Sequence, residues 1–310
     1  MATLTNPDVT IPNTQEVSFK LPWGIIAGKL WGNPDSEKKI LAIHGWLENA
    51  GSFDRLAPLL FANELFTQKY SMLAIDLAGH GLSSHRGDGV PYIIMHYAMD
   101  IKLVLNQLGW KKLTIFGHSL GGAISSLLAI GISDQIENFI TIDAFTPLGI
   151  RADQYLNRLK DAVESASTLY SIPDGFKTYP TEEAIIQRIL EGNEKLNVEA
   201  AKVLAIRGAK PVENGFTFTR DIRIKAGSSI YFLGNSYLEF IQEVLKHIFV
   251  PTICIIPNES HMKLTEMISE LKFPENYSNK FVSGNHHVHT NNPEVVAPVI
   301  LEFLNLVSQC

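Results

Sequence analysis

From residue 40 onward, short apolar runs alternate with longer segments of helical period, which is how parallel sheets assembled from strand–helix–strand units read. The runs are Ile40–Ile43, Ser71–Ile75, Leu113–Phe116, Phe139–Ile142, Thr252–Ile256 and Lys280–Val282. Between them, apolar positions recurring every three or four residues predict helices over Phe53–Ala62, Tyr92–Leu108, Leu120–Ile130 and Pro293–Val307, the last with proline in its first turn. Ahead of residue 40, Val17–Leu21 and Ile25–Trp31 flank Pro22-Trp23-Gly24 and predict an antiparallel hairpin.

The alternation breaks once, between Phe145 and Val250, where helix formers dominate and no clear parallel strand is legible. Helical segments are expected near Asp153–Leu169, Glu182–Leu190 and Asn197–Arg207, with Asn235–Phe249 returning to the main sheet. The predicted organisation is therefore an α/β core formed by residues 1–144 and 235–310, interrupted by a helical insertion over 145–234.

Composition narrows the function classes. A chain of 310 residues with 45% hydrophobic and 19% charged residues has the balance of a compact folded protein. A net charge of -6, with its basic residues dispersed, offers no attraction to a phosphate backbone, so nucleic acid is not an expected partner. Only Cys254 and Cys310 are present, which excludes a disulfide framework and suits a reducing compartment. No secretory signal, spanning segment or Ser-Lys-Leu tail is legible, and a cytoplasmic location is the expectation.

The chemistry concentrates in three places. Gly117-His118-Ser119-Leu120-Gly121 follows a predicted strand and opens a predicted helix, the two contexts that give the G-x-S-x-G pattern meaning. Such a corner is too tight for side chains at its glycines and leaves the serine hydroxyl exposed as a nucleophile. The backbone N–H of Leu120, at the positive end of the new helix, is one candidate oxyanion donor. That of Trp46, in His44-Gly45-Trp46 after the first parallel strand, is the other. His118 is assigned to packing or to the pocket wall rather than to proton transfer.

A serine hydroxyl needs a base, and in this arrangement the histidine follows the last strand. His286, in Gly284-Asn285-His286-His287-Val288-His289, fits that place. The same histidines could be a solvated loop or a metal site. A zinc hydrolase would want a further ligand, often from helical H-E-x-x-H, which is absent, so neither metal nor cofactor is expected. Two carboxylates compete to orient the imidazole: Asp143, closing the run Phe139–Ile142 and the first choice, and Glu259, in the loop after Thr252–Ile256. Their plainer readings are a turn residue and a solvated charge.

Taken in order, His44–Ala50 with Phe53–Leu56, Asp76–Ser84, Gly117–Gly122 and Gly284-Asn285-His286 with Val288-His289 and Pro293-Glu294 resemble the α/β-hydrolases, and within them the serine hydrolase-like proteins, including the insect kraken type. The resemblance implies an eight-stranded, mostly parallel sheet, a helical cap after the sixth strand, His286 as base and Asp143 as acid. It also implies hydrolysis of an ester or related acyl bond in a small molecule. Where many hydrolases carry a Gly-x-x-Asp turn, this chain has Asn258-Glu259. The pocket wall is expected to draw on Trp46, His118, Phe145 and Leu148, with Leu156, Phe176, Tyr179 and Phe232 as further cap candidates, although such residues are more often a cap's own core. The alternative function is a ligand-binding or sensing protein that keeps the hydrolase shell with little turnover.

Overall fold

The computed structural model describes residues 14–147, 156–157, 160–161, 164, 177–193, 195–226, 237–260 and 264–306. Its centre is one eight-stranded sheet in the order β1-β2-β4-β3-β5-β6-β9-β10. The strands are β1 (Gln15–Leu21), β2 (Gly24–Trp31), β3 (Lys38–Ile43), β4 (Tyr70–Ile75), β5 (Leu113–His118), β6 (Ile136–Ile142), β9 (Thr252–Glu259) and β10 (Tyr277–Asn285). The first two form the expected hairpin around Pro22-Trp23, β2 joins β4 antiparallel, and every later pairing is parallel.

Alternation within each strand sends side chains to two cores, which is why the parallel strands read as unbroken apolar runs. Leu41 and Ile43 of β3, with Leu73, Ile75 and Ile115, pack under α3 (Ile94–Leu108) and α4 (Leu120–Gly131). Ile40 and Ala42, with Met72, Phe116 and Ile255, face α1 (Leu56–Phe61), α2 (Glu64–Lys69) and α10 (Pro293–Phe303). The helix expected over Phe53–Ala62 is shorter, because Ala50–Phe53 closes a separate 3-10 turn capped by the Asn49 side chain.

The insertion contains α5 (Glu182–Glu191), α6 (Val198–Gly208) and a hairpin, β7 (Ala209–Val212) with β8 (Gly215–Phe218), that the helix-rich composition concealed. Ile185, Ile189, Leu196, Leu204 and Phe218 give it a core of its own, against which Tyr179 packs. After α7 (Arg223–Ala226), α8 (Tyr237–Lys246) returns to the sheet, and α9 (Leu264–Ile268) lies between β9 and β10. The segment expected at Asp153–Leu169 lies largely outside the described residues.

Polar anchors fix the insertion to the core. Arg207 of α6 donates from Nε to the fully buried Asp76 Oδ2 at 2.7 Å and from Nη1 to Glu16 of β1 at 2.6 Å. The Asn49 side chain donates to the Leu204 carbonyl at 2.9 Å, and the Tyr92 hydroxyl donates to Asp221 at 2.7 Å.

Candidate active site

Four non-glycine residues among those described have positive φ, and three of them lie beyond the carboxyl ends of sheet strands: Leu47 in the loop after β3, and Ser119 and Asp143 directly after β5 and β6. Such backbone is disfavoured for residues carrying a Cβ and persists only where the surroundings enforce it. At Ser119 (φ 50°) the chain turns from β5 straight into α4, and its N–H donates to the Ile142 carbonyl at 3.0 Å. The glycines are required sterically: a Cβ on Gly121 would lie 2.0 Å from the Ile43 carbonyl oxygen, and one on Gly117 would lie 2.4 Å from Gly121. Leu120 opens α4, so its N–H is among those without an acceptor inside the helix.

Asp143 (φ 50°) is fully buried, and its N–H donates to Ile255 of β9 at 2.9 Å. His286, which follows β10, directs Nδ1 to Asp143 Oδ2 at 2.6 Å, and the Ser260 hydroxyl donates to the other carboxylate oxygen at 2.6 Å. The carboxylate therefore fixes the imidazole with its proton on Nδ1 and Nε2 left as the basic nitrogen. Burial pushes the His286 pKa below its ordinary value, against the bond to Asp143 and with the positive field of His118. Glu259, the competing acid, instead approaches Lys195 at 3.3 Å, with 65% of its side chain exposed.

Two residues expected at the pocket wall stand elsewhere. His118 is fully buried and turned toward the protein: Nδ1 lies 3.0 Å from Glu48 Oε2 and Nε2 donates to the His286 carbonyl at 2.8 Å, so both ring nitrogens are occupied. Phe145 packs with Ile241, Leu245, Cys254 and Tyr277 beneath β9. Leu148, Phe176 and Phe232 lie outside the described residues, and Leu156 is exposed. Trp46 is 42% exposed and lines a cavity of about 60 Å³ between the His44–Asn49 loop and the insertion, together with Leu47, Glu48, Leu204, Arg220 and His287.

Sequence reasoning missed Glu48. Its carboxylate accepts the Gly45 N–H at 2.8 Å and faces His287 Nδ1 at 3.1 Å as well as His118. Burial opposes its ionisation, but His118 and the hydrogen bonds from His118 and His287 hold its pKa well below the ordinary value. Burial likewise opposes a charge on His118, and Glu48 overcomes it and raises the pKa. A glutamate within Trp46-Leu47-Glu48-Asn49 carries no signal of its own, and only the accumulation of histidines at 286–289 hinted that a carboxylate would be needed nearby. Ser260 was missed for a similar reason, since one hydroxyl in a loop is unremarkable until the buried Asp143 is seen beside it.

Comparison with known proteins agrees with this architecture. Residues 39–166 match the model of the alpha/beta hydrolase fold family. The human protein called Serine hydrolase-like protein 2 is 32% identical over 303 residues, covering 93% of each chain. The chain is a serine hydrolase-like member of the α/β-hydrolase family. Among solved structures, this hydrolase superposes on a hypothetical protein from Pseudomonas aeruginosa with a TM-score of 0.81 and 30% identity, covering 94% of this chain and 99% of that one. The thioesterase domain of the curacin biosynthetic pathway follows with a TM-score of 0.77 and 25% identity, covering 93% and 99%. Among the described residues, no helix is long and apolar enough to cross a membrane.

Proposed function

We propose that the protein is a carboxylesterase-type serine hydrolase that cleaves a small ester, or a related acyl bond such as a thioester, through an acyl-enzyme. The observation that carries this reading is the 2.6 Å contact of His286 Nδ1 with the buried Asp143, set at the same edge of the sheet as a serine held at φ 50° on a strand-to-helix corner.

In this scheme Ser119 Oγ attacks the carbonyl carbon as His286 Nε2 takes its proton. The N–H groups of Trp46 and Leu120 receive the developing oxyanion, and the C–O bond to the leaving alcohol breaks as His286 returns the proton to it. Water, deprotonated by the same nitrogen, then releases the acid. Asp143 stabilises the imidazolium without itself being protonated, and Ser260 keeps that carboxylate oriented. A cap over 145–234 would close the pocket above Ser119, and its apolar residues favour a hydrophobic acyl or alcohol group. The scarcity of cysteines fits action in the cytoplasm.

The test is turnover of p-nitrophenyl esters of graded chain length, with fluorophosphonate labelling of the same preparations. Wild-type protein should hydrolyse at least one ester and be labelled, whereas Ser119→Ala should do neither. Equal rates for the two proteins would reject the scheme, and an unlabelled, inactive wild type would favour the binding-protein alternative.

A further inference from the structure

We propose that Glu48, His118, His287 and His289 form a binding site for a divalent metal ion of the zinc type, set against the backbone of His286. The four side chains come from three distant parts of the sequence: the loop after β3, the last residue of β5 and the segment following β10. Glu48 Oε2 lies 3.0 Å from His118 Nδ1 and 3.8 Å from His289 Nε2, and Glu48 Oε1 lies 3.1 Å from His287 Nδ1. Ligand atoms offered by Glu48, His118 and His287 all lie within 4.8 Å of one another. Four-coordinate zinc with bonds of ~2.0–2.1 Å holds its ligand atoms roughly 3.3 Å apart, and the separations of the three histidine nitrogens from Glu48, 3.0, 3.1 and 3.8 Å, lie close to that spacing.

A second observation points to the same spot. His289 is fully buried, and neither of its ring nitrogens has a hydrogen-bond partner among the described residues. Buried polar groups without partners are uncommon and mark places where an ion or ordered water belongs. Its Nε2 is aimed at the Glu48 carboxylate from 3.8 Å, beyond hydrogen-bond reach but suited to a shared ion between them.

The surroundings also have the form of a metal site. His118 donates its other ring N–H to the His286 carbonyl at 2.8 Å, and the Gly45 N–H holds the Glu48 carboxylate at 2.8 Å, which is how imidazole and carboxylate ligands are usually oriented. Three imidazoles and one carboxylate select zinc-like ions over calcium or magnesium, which demand more oxygen ligands. The cavity beneath the cap is lined by Glu48 and His287, and the proton between His118 and Glu48 would be displaced on binding. Because the protein fills all four positions, the ion would leave the serine chemistry unchanged and brace the loop that presents His286.

The test uses the full chain, treated with chelator and dialysed against zinc, and reads metal content by atomic emission. One zinc per chain should be retained by wild type and equally by Ser119→Ala, so that failure of the serine mechanism and failure of the metal site are seen separately. His287→Ala and His289→Phe should each lose the ion and the zinc-dependent rise in melting temperature. Cobalt(II) provides a readout independent of those variants: intense visible bands of four-coordinate cobalt are expected in wild type. A weak octahedral spectrum, no metal retained, or equal retention by folded His287→Ala and His289→Phe proteins would overturn the proposal.

Discussion

Asp143→Asn and Glu259→Gln are both isosteric removals of a negative charge near the carboxyl end of the sheet, and the structure predicts opposite outcomes. In Asp143→Asn the fully buried partner of His286 Nδ1 loses its charge, and the amide can satisfy the imidazole by donating from its nitrogen, which selects the wrong tautomer and places the proton on Nε2. A loss of this kind in a serine triad costs about 10⁴ in kcat, or about 5.4 kcal/mol at 1.36 kcal/mol per tenfold. Glu259 offers only a 3.3 Å contact with Lys195 between two side chains more than half exposed, and pairs of that kind contribute about 0–1 kcal/mol to stability. Its removal should leave turnover within about twofold, since surface changes are usually within ±0.5 kcal/mol. The assay is kcat on the best p-nitrophenyl ester, beside thermal melting to confirm that both variants are folded. A folded Glu259→Gln protein as impaired as Asp143→Asn, or an Asp143→Asn protein at wild-type rate, would refute the assignment of the acid.

Further expectations concern the cap and the corner at Ser119. Arg207→Ala removes the guanidinium from the buried Asp76 carboxylate and should lower stability by about 3 kcal/mol in urea unfolding, the lower end for a broken buried pair because the Ala50 and Leu82 N–H groups still bond to it, a loss below 1 kcal/mol counting against the anchor. Burial works against the Asp221 carboxylate, but hydrogen bonds from Arg223 and Tyr92 prevail and lower its pKa. A depressed folded-state pKa stabilises the protein above the unfolded value of about 3.9, and that contribution disappears as pH falls through the folded value. Asp221→Asn should therefore flatten the fall in melting temperature below about pH 5, and unchanged slopes would contradict it. In Gly121→Ala the new Cβ meets the Ile43 carbonyl at 2.0 Å, a backbone atom of a central strand, so a cost of at least 1–3 kcal/mol and loss of soluble yield are expected, and a normally stable variant would show that the corner is less constrained.

The central strands were legible because burial on both faces leaves a continuous apolar run, and each run from Ile40 to Val282, the partly exposed edge run at Lys280–Val282 included, became a parallel strand. The hairpin of the insertion was not, because its two strands of 4 residues are partly exposed and contain Pro211 and Gly215, which read as turn signals. The helix Glu64–Lys69 was hidden because Phe66 is its only buried residue, which is too few to establish a period.

The site divides along a different line. Ser119, Asp143 and His286 were legible because each follows a strand, so the backbone fixes where they sit, and the edge of a parallel sheet gathers such residues without reference to their neighbours. His118 ends β5 and Phe145 lies just past β6, yet burial turned both away from the pocket, because strand position specifies where a residue sits and packing decides which way it faces. Glu48 and His289 obey neither rule. Their meaning lies in a contact between side chains far apart in the sequence, one of them without a hydrogen-bond partner among the described residues. Periodicity records which residues are buried and is silent on what a buried polar group will meet. The histidines after β10 therefore read as a solvated loop or an incomplete metal site, when the carboxylate that His287 faces had already passed at position 48.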